Sequence, residues 1–415
     1  MLAALVFLAI PVHARGQAAP SAAAEHIVEV RVHGNHTTPD AEVLRIAGLT
    51  PGDPLGSGTI ADVEARLLES GRFRNVEVRK RYASLTDMSA VLIVIVVEEV
   101  AGIGIDVPEP GPMRKLRANT MWLPILSRED GYGFTYGARV SFVDLLGRRT
   151  RVSAPLTWGG ERRAALEIER RFERGPFGRL FGAASISQRE HPALGVDDRR
   201  TGVSVRAEHS VGSWLTISGL GGVSKVRFGA LDDRRAQIGV EAVVDTRRDP
   251  AFPRNAVYLA AGFDRIAFRE SRDTIRMTMD ARGFVGLFGQ TVLAVRAFHV
   301  RAADPLPPYE QSLLGGAATV RGFPLGFRMG DRLAAGSAEL RVPLSSPRHL
   351  SRLGVAVFAD TGAVYTASSA LSDATWDTGV GAGVFLQAPL VSLRLDVARG
   401  LGSGTRAHFT LGVTF

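Results

Sequence analysis

The chain has 415 residues, 46 of them glycine, with 45% hydrophobic and 22% charged residues, a length that favours two parts over one small core. It contains no cysteine, which excludes disulfides, cysteine-ligated zinc and thiol catalysis, and no apolar stretch of about 18 residues, which excludes a membrane-spanning helix. The net charge of +8 is almost wholly arginine, with lysine only at Lys80, Lys115 and Lys225; the arginines stand singly, as at Arg276 and Arg282, which suits anionic lipid headgroups and argues against nucleic acid.

Residues 2–12 form a short apolar run, and Val12 and Ala14 fit the small-residue positions before a cleavage site. The run is too short to span a bilayer, so residues 1–14 read as a secretory signal peptide, although no Lys or Arg precedes it. A buried N-terminal helix is the alternative.

From His26 to His33 the sequence alternates, with Val28, Val30 and Val32 on an apolar side and Ile27, Glu29, Arg31 and His33 on the other, as in a strand with one buried face. Gly34-Asn35 turns the chain. Short helices are expected near 40–47 and 59–69, the second with Ile60, Val63, Leu67 and Leu68 on one face and Gly71 as its left-handed stop. Residues 73–81 form a strand burying Phe73, Val76 and Val78, and 91–97, the most β-prone run, is expected at the centre of the sheet. The order β-α-α-β-β, with Val32-His33-Gly34-Asn35, the segment Leu-Glu-Ser-Gly-Arg-Phe-Arg-Asn-Val at 68–76 and a last strand ending in Glu98-Glu99, resembles a POTRA domain over residues 26–99. The resemblance implies a small α+β periplasmic domain that takes extended client segments onto a sheet edge; a plain spacer is the alternative. Residues 100–115 read as a linker.

Over residues 116–415 no helix is expected. Alternating segments of about ten residues recur between Gly, Asp, Asn or Pro turns, the signature of a transmembrane β-barrel. In 274–284, Ile275, Met277, Met279 and Ala281 alternate with Arg276, Thr278, Asp280 and Arg282; 391–398 and 406–415 behave alike. Segments fall near 116–126, 131–143, 149–158, 161–173, 178–190, 199–209, 213–227, 234–246, 255–268, 274–287, 289–302, 332–343, 352–361, 376–387, 389–399 and 405–415. The expected fold is thus an all-β barrel of about sixteen antiparallel strands, an even number as in single-chain bacterial barrels. A soluble sandwich also alternates, but the short turns, the apparent signal and the final Phe415 favour the membrane. Phe409, Leu411, Val413 and Phe415 resemble the C-terminal signal of bacterial outer-membrane barrels.

Residues 320–323, Val320-Arg321-Gly322-Phe323, look like the VRGF/Y motif of the BamA, TamA and two-partner-secretion (TpsB) superfamily, the bacterial surface antigen barrels. There the motif sits at the tip of the long loop between strands eleven and twelve, folded into the lumen, and the strand count puts 303–331 in that place. Gly336–Leu344 and Phe358-Ala-Asp-Thr-Gly362 resemble the next two strands of the family. The resemblance implies that Arg321 pairs with Glu339 and Asp360; alternation also turns both carboxylates inward. A guanidinium bridging two buried carboxylates would fix the loop in the lumen, whereas an exposed loop arginine would not. Asp245-Thr-Arg247-Arg-Asp249-Pro250, followed by Phe252-Pro253, resembles the family's DTRDxPxxPxxG turn between strands eight and nine. Its Asp245, Arg247 and Asp249 read as turn caps and Pro250 and Pro253 as stiffeners. Asn255-Ala256 stand where the family carries glycine, which leaves the turn type open.

No Gly-x-Ser-x-Gly, His-Glu-x-x-His or Walker loop occurs, and Gly379, Gly381 and Gly383 read as small inward residues of one strand. No catalytic residue, cofactor or metal is expected. The resemblance implies an outer-membrane assembly factor, with its POTRA domain in the periplasm capturing unfolded outer-membrane or secreted clients. The seam between the first and last strands, weakened by Gly412, would template insertion. Outer-membrane lipids, lipopolysaccharide and periplasmic accessory proteins are further expected partners. The alternatives are TpsB-like export of one dedicated partner and a passive pore. One POTRA domain, where TpsB proteins carry two and BamA several, favours an auxiliary assembly role.

Overall fold

The computed structural model describes residues 25–56, 58–83, 87, 89–100, 119–173, 175–345, 351–388 and 391–413. The expected signal peptide at 1–14, linker residues 101–115, the start of the first expected barrel segment at 116–118 and the terminal Phe415 lie outside the described residues. The chain divides into two compact units between Ala118 and Asn119.

The first unit runs β1 (His26–His33), α1 (Asp40–Ala47), α2 (Thr59–Glu69), β2 (Phe73–Tyr82) and β3 (Ala90–Glu99). The sheet order is β1-β3-β2, with the β-branched run of β3 at its centre, parallel to β1 and antiparallel to β2. Val43 and Ala47 of α1, and Val63 and Leu67 of α2, bury the helical stripes against Val91, Ile93 and Ile95. Gly71 takes the left-handed conformation expected of it, with φ +66°. Two strands depart from simple alternation: β2 shifts register between Phe73 and Asn75, and β1 does so near its start. The register of β1 shifts between Ile27 and Glu29, so Ile27 is fully buried and Val28 is exposed. The expected apolar face therefore begins only at Val30: an extra residue in a strand reverses the facing of what precedes it.

At the other end of β3, Glu99 accepts hydrogen bonds from the Thr37 N–H (2.8 Å), the Thr37 hydroxyl (2.7 Å) and the Thr38 N–H (2.6 Å). This carboxylate ties the last strand to the entry of α1, whose own N-cap, Pro39, offers no side-chain acceptor. Burial pushes the Glu99 carboxyl up, but the Thr37 and Thr38 donors overcome it and lower its pKa to about 2.

The second unit begins with β4 (Thr120–Glu129), β5 (Gly133–Val143), β6 (Thr150–Gly159), β7 (Arg162–Arg171), β8 (Arg179–Glu190), β9 (Asp197–Val211), β10 (Leu215–Phe228), β11 (Leu231–Asp245), β12 (Ala256–Phe268), β13 (Thr274–Gly286) and β14 (Val292–Ala302). The long connection that follows carries a short hairpin, β15 (Ser312–Leu314) with β16 (Arg328–Gly330). The wall resumes with β17 (Arg332–Pro343), β18 (Arg352–Tyr365), β19 (Asp377–Gln387), β20 (Val391–Gly400) and β21 (Thr405–Val413). All of these except β15 and β16 close into one antiparallel barrel of sixteen strands, the number the alternation predicts. Outward positions are apolar and exposed, among them Ile238, Val240, Met277, Val357 and Val397. So continuous an apolar exterior is unstable in water and suits a bilayer. The inward positions hold the charges.

Candidate functional site: the lumen loop and the seam

The connection from β14 to β17 folds into the barrel: Leu306, Tyr309, Leu314, Val320, Arg321 and Phe323 are all buried. Backbone geometry brings its tip against the wall. Gly322 has φ +95°, and a Cβ there would lie 2.4 Å from the Gly400 N. A Cβ on Gly379 would lie 1.9 Å from the Arg321 carbonyl oxygen. Only glycine at both positions allows the loop to approach β19 and β20 this closely.

Arg321 meets the two carboxylates named from the sequence and a third that was not. Its Nε and Nη2 donate to the two oxygens of Asp360 at 2.7 and 2.8 Å, and its backbone N–H donates to the same carboxylate at 3.1 Å. Its Nη1 donates to Glu339 at 2.9 Å and to Asp396 at 3.1 Å. The guanidinium also stacks over Phe358, 3.3 Å from the ring centroid. Arg394 closes the network, binding Glu339 through both Nη atoms at 2.8 and 2.6 Å and Asp396 through Nε at 2.7 Å, and Arg341 donates to Glu339 at 2.6 Å. Three carboxylates thus face three guanidiniums on β17, β18, β20 and the loop, and the charges balance. Val320 and Phe323, the flanking motif residues, pack with Leu314 and Leu333. The network borders a lumen cavity of about 360 Å3.

A second anchor carries no motif. Glu310 accepts from Arg200 at 3.0 Å and Arg276 at 3.1 Å, and pairs with Arg235 at 3.2 Å. The neighbouring Tyr309 hydroxyl donates to Asp233 at 2.5 Å. These partners lie on β9, β11 and β13, a different stretch of wall from the partners of Arg321.

The turn from β11 to β12 is held by its own side chains. Arg247 forks onto Asp245 with both bonds at 2.8 Å, and Asp249 accepts from the Ala251 and Phe252 N–H groups at 3.0 and 3.2 Å. Pro250 and Pro253 line the lumen cavity beside Arg321. Asn255 adopts the left-handed conformation, φ +49°, in place of a glycine, and its side-chain oxygen accepts from the Gly286 N–H at 2.8 Å.

The barrel closes between β21 and β4. Among the described residues these strands pair only at Leu411 with Arg128 and Gly412 with Ser127. The next boundary, β20 with β21, has nine pairs, Val391–Arg399 against Val413–Thr405. Pro124 in β4 has no N–H to offer either neighbour. A side chain supplements the thin backbone link: Arg128 donates to the Phe409 carbonyl at 2.5 Å and lies over the neighbouring rings of Phe134 and Phe409. Leu411, the second described member of the terminal signal, lies in the seam pairing itself; the Val413 side chain is outside the described residues.

The Omp85 superfamily domain matches residues 200–415, which contain the loop, the turn and the last strands. The chain belongs to the Omp85 superfamily. A POTRA domain of the FtsQ type matches residues 26–84, ahead of the barrel in the sequence. BamA from Haemophilus ducreyi lacking POTRA domains 1–3 has the same fold, with a TM-score of 0.66 at 15% identity over 94% of this chain and 85% of that one. CdiB from Acinetobacter baumannii matches with a TM-score of 0.53 at 14% identity over 94% of this chain and 74% of that one. CdiB from Escherichia coli matches with a TM-score of 0.50 at 12% identity over 97% and 93%. No curated protein matches the chain. Membership implies an outer-membrane barrel concerned with inserting or secreting proteins, in a superfamily that is generally not enzymatic.

Proposed function

We propose that this Omp85 protein is an outer-membrane protein assembly factor of auxiliary scope, whose seam opens to template client strands while its POTRA domain holds extended clients on the periplasmic side. The observation that carries this reading is the disparity at the closure: two described residue pairs join β21 to β4, against nine between β20 and β21. A row of hydrogen bonds is the main barrier to separating two strands, so the barrel is weakest at that one boundary, and a freed strand edge pairs readily with another chain. The edge strand β2 supports the capture step. Among the described residues no strand covers its outer side, and the N–H of Val78 is taken by the Glu64 carboxylate at 2.9 Å. An extended client would add there by replacing that side-chain contact. A loop anchored inside the lumen at Glu310 and at Arg321 disfavours a passive pore.

The test is depletion followed by complementation with wild type or a seam-locked variant, with the outer-membrane and secreted proteomes quantified. Loss of several unrelated barrel proteins supports assembly. Loss of one secreted protein with the barrels unchanged would replace this reading with dedicated export.

A further inference from the structure

One buried imidazole joins three parts of the barrel that the assembly reading requires to move. His408 lies on β21, on one side of the seam, and is 2% exposed. Its Nε2 accepts the backbone N–H of Gly322 at 2.8 Å. A backbone N–H can only donate, so Nε2 holds the lone pair and Nδ1 carries the proton. That proton is donated to Asp130 at 2.6 Å. Asp130 directly follows β4, on the opposite side of the seam, and the same carboxylate oxygen accepts the Ala317 N–H of the loop at 3.1 Å. Next to His408 in the ladder is Asp396, itself bound to Arg321. Strand β21, the first hairpin and the loop tip therefore meet on a single side chain, beside a backbone seam of two described pairs.

We infer that His408 is a positioning residue that couples the lumen loop to the state of the seam. Parting β21 from β4 separates His408 from Asp130, and the loop, bonded to both, must give up one of these two attachments in the same event while its Arg321 and Glu310 anchors hold. Conversely, a seated loop bridges the two lips and holds them closed. The inference rests on the proposal that the seam opens, but its test needs no client.

The chain lacks cysteine, so spin labels can be placed at Leu126→Cys on β4 and Leu395→Cys on β20, both lipid-facing and 41% exposed. Pulsed dipolar spectroscopy of the full chain in phospholipid vesicles then reads the separation across the seam. Hydrogen exchange over residues 315–323 reads the loop. His408→Ala is expected to raise the long-distance population about tenfold, the change expected on losing a hydrogen bond to a charged group, and to speed loop exchange with it. His408→Gln, whose amide presents one acceptor and one donor, is expected to restore both readouts. Should His408→Ala fail to fold, Asp130→Ala on the turn carries the same test. Faster loop exchange with an unchanged distance distribution would overturn the coupling, as would two unchanged readouts. A widened seam with normal outer-membrane protein levels would leave the coupling standing and sink the assembly reading; an insertion defect on depletion with a seam indifferent to His408 would do the reverse.

Discussion

Glu310 and Arg321 hold the lumen loop by opposite charge arrangements: one carboxylate set among the guanidiniums of Arg200, Arg235 and Arg276, and one guanidinium set among the carboxylates of Glu339, Asp360 and Asp396. Removing Arg321 would strip Asp360 of its guanidinium and leave Glu339 and Asp396 to Arg341 and Arg394, and removing Glu310 would strip Arg235 of its carboxylate, so each loss leaves a buried charge uncompensated in a low-dielectric lumen.

Arg321→Ala is therefore expected to destabilise the folded barrel by roughly 3–5 kcal/mol, the cost of breaking a buried ion pair from one side. The electrophoretic heat-modifiability of the barrel measures this as a lower unfolding temperature. Asp396→Ala, which the motif does not mark, should produce a loss of the same sign; an unchanged transition would remove Asp396 from the network.

Glu310→Gln removes the charge but keeps the shape. Its expected effect is a loosened first limb of the loop, seen as faster hydrogen exchange over 306–314, with the Arg321 network still in place. Loss of protection at both anchors together would show instead that the loop behaves as one rigid piece.

The carboxyl of Glu99 is depressed from 4.5 to about 2 in the folded domain by its threonine donors. A group with a lowered folded pKa contributes its full stabilisation above the unfolded value and loses it as pH falls towards the folded one. The first unit should lose stability between about pH 4.5 and about pH 2, and Glu99→Gln should flatten that dependence while costing roughly 0.5–2 kcal/mol at neutral pH, as for a lost helix cap. Urea titration followed by a probe within residues 26–99 gives both quantities.

Asn255→Val is expected to cost about 1–2 kcal/mol, since a β-branched residue is strained at positive φ. Asn255→Gly relieves the strain but forfeits the bond to Gly286, so it should fall between Val and wild type. Refolding midpoints in urea rank the three; a neutral valine variant would contradict the left-handed assignment.

Much of this was readable from residue order alone. Alternation identified sixteen wall segments and turned Glu339, Asp360 and Asp396 inward, because facing depends only on parity along a strand. It did not say which inward charges meet. Asp396 and Arg394 reach Arg321 from β20, and Glu310 reaches back to β9, through barrel curvature and the path of the loop, neither of which is encoded locally. Motif resemblance supplied two of the three carboxylates. Parity also failed at Val28, where a register shift in β1 reverses the faces. Asn255 was visible as a departure from the glycine of the family turn, and its backbone conformation shows that the turn is kept with a different residue.

A cylinder bonded evenly all round has a fixed circumference, since admitting another strand anywhere costs a full row of contacts. Here the two ends of the sheet touch at Ser127 and Arg128 against Gly412 and Leu411 among the described residues. On the assembly reading, the wall acts as a curled strip whose ends meet, widening by whole hairpins at that one place while every other ladder stays intact.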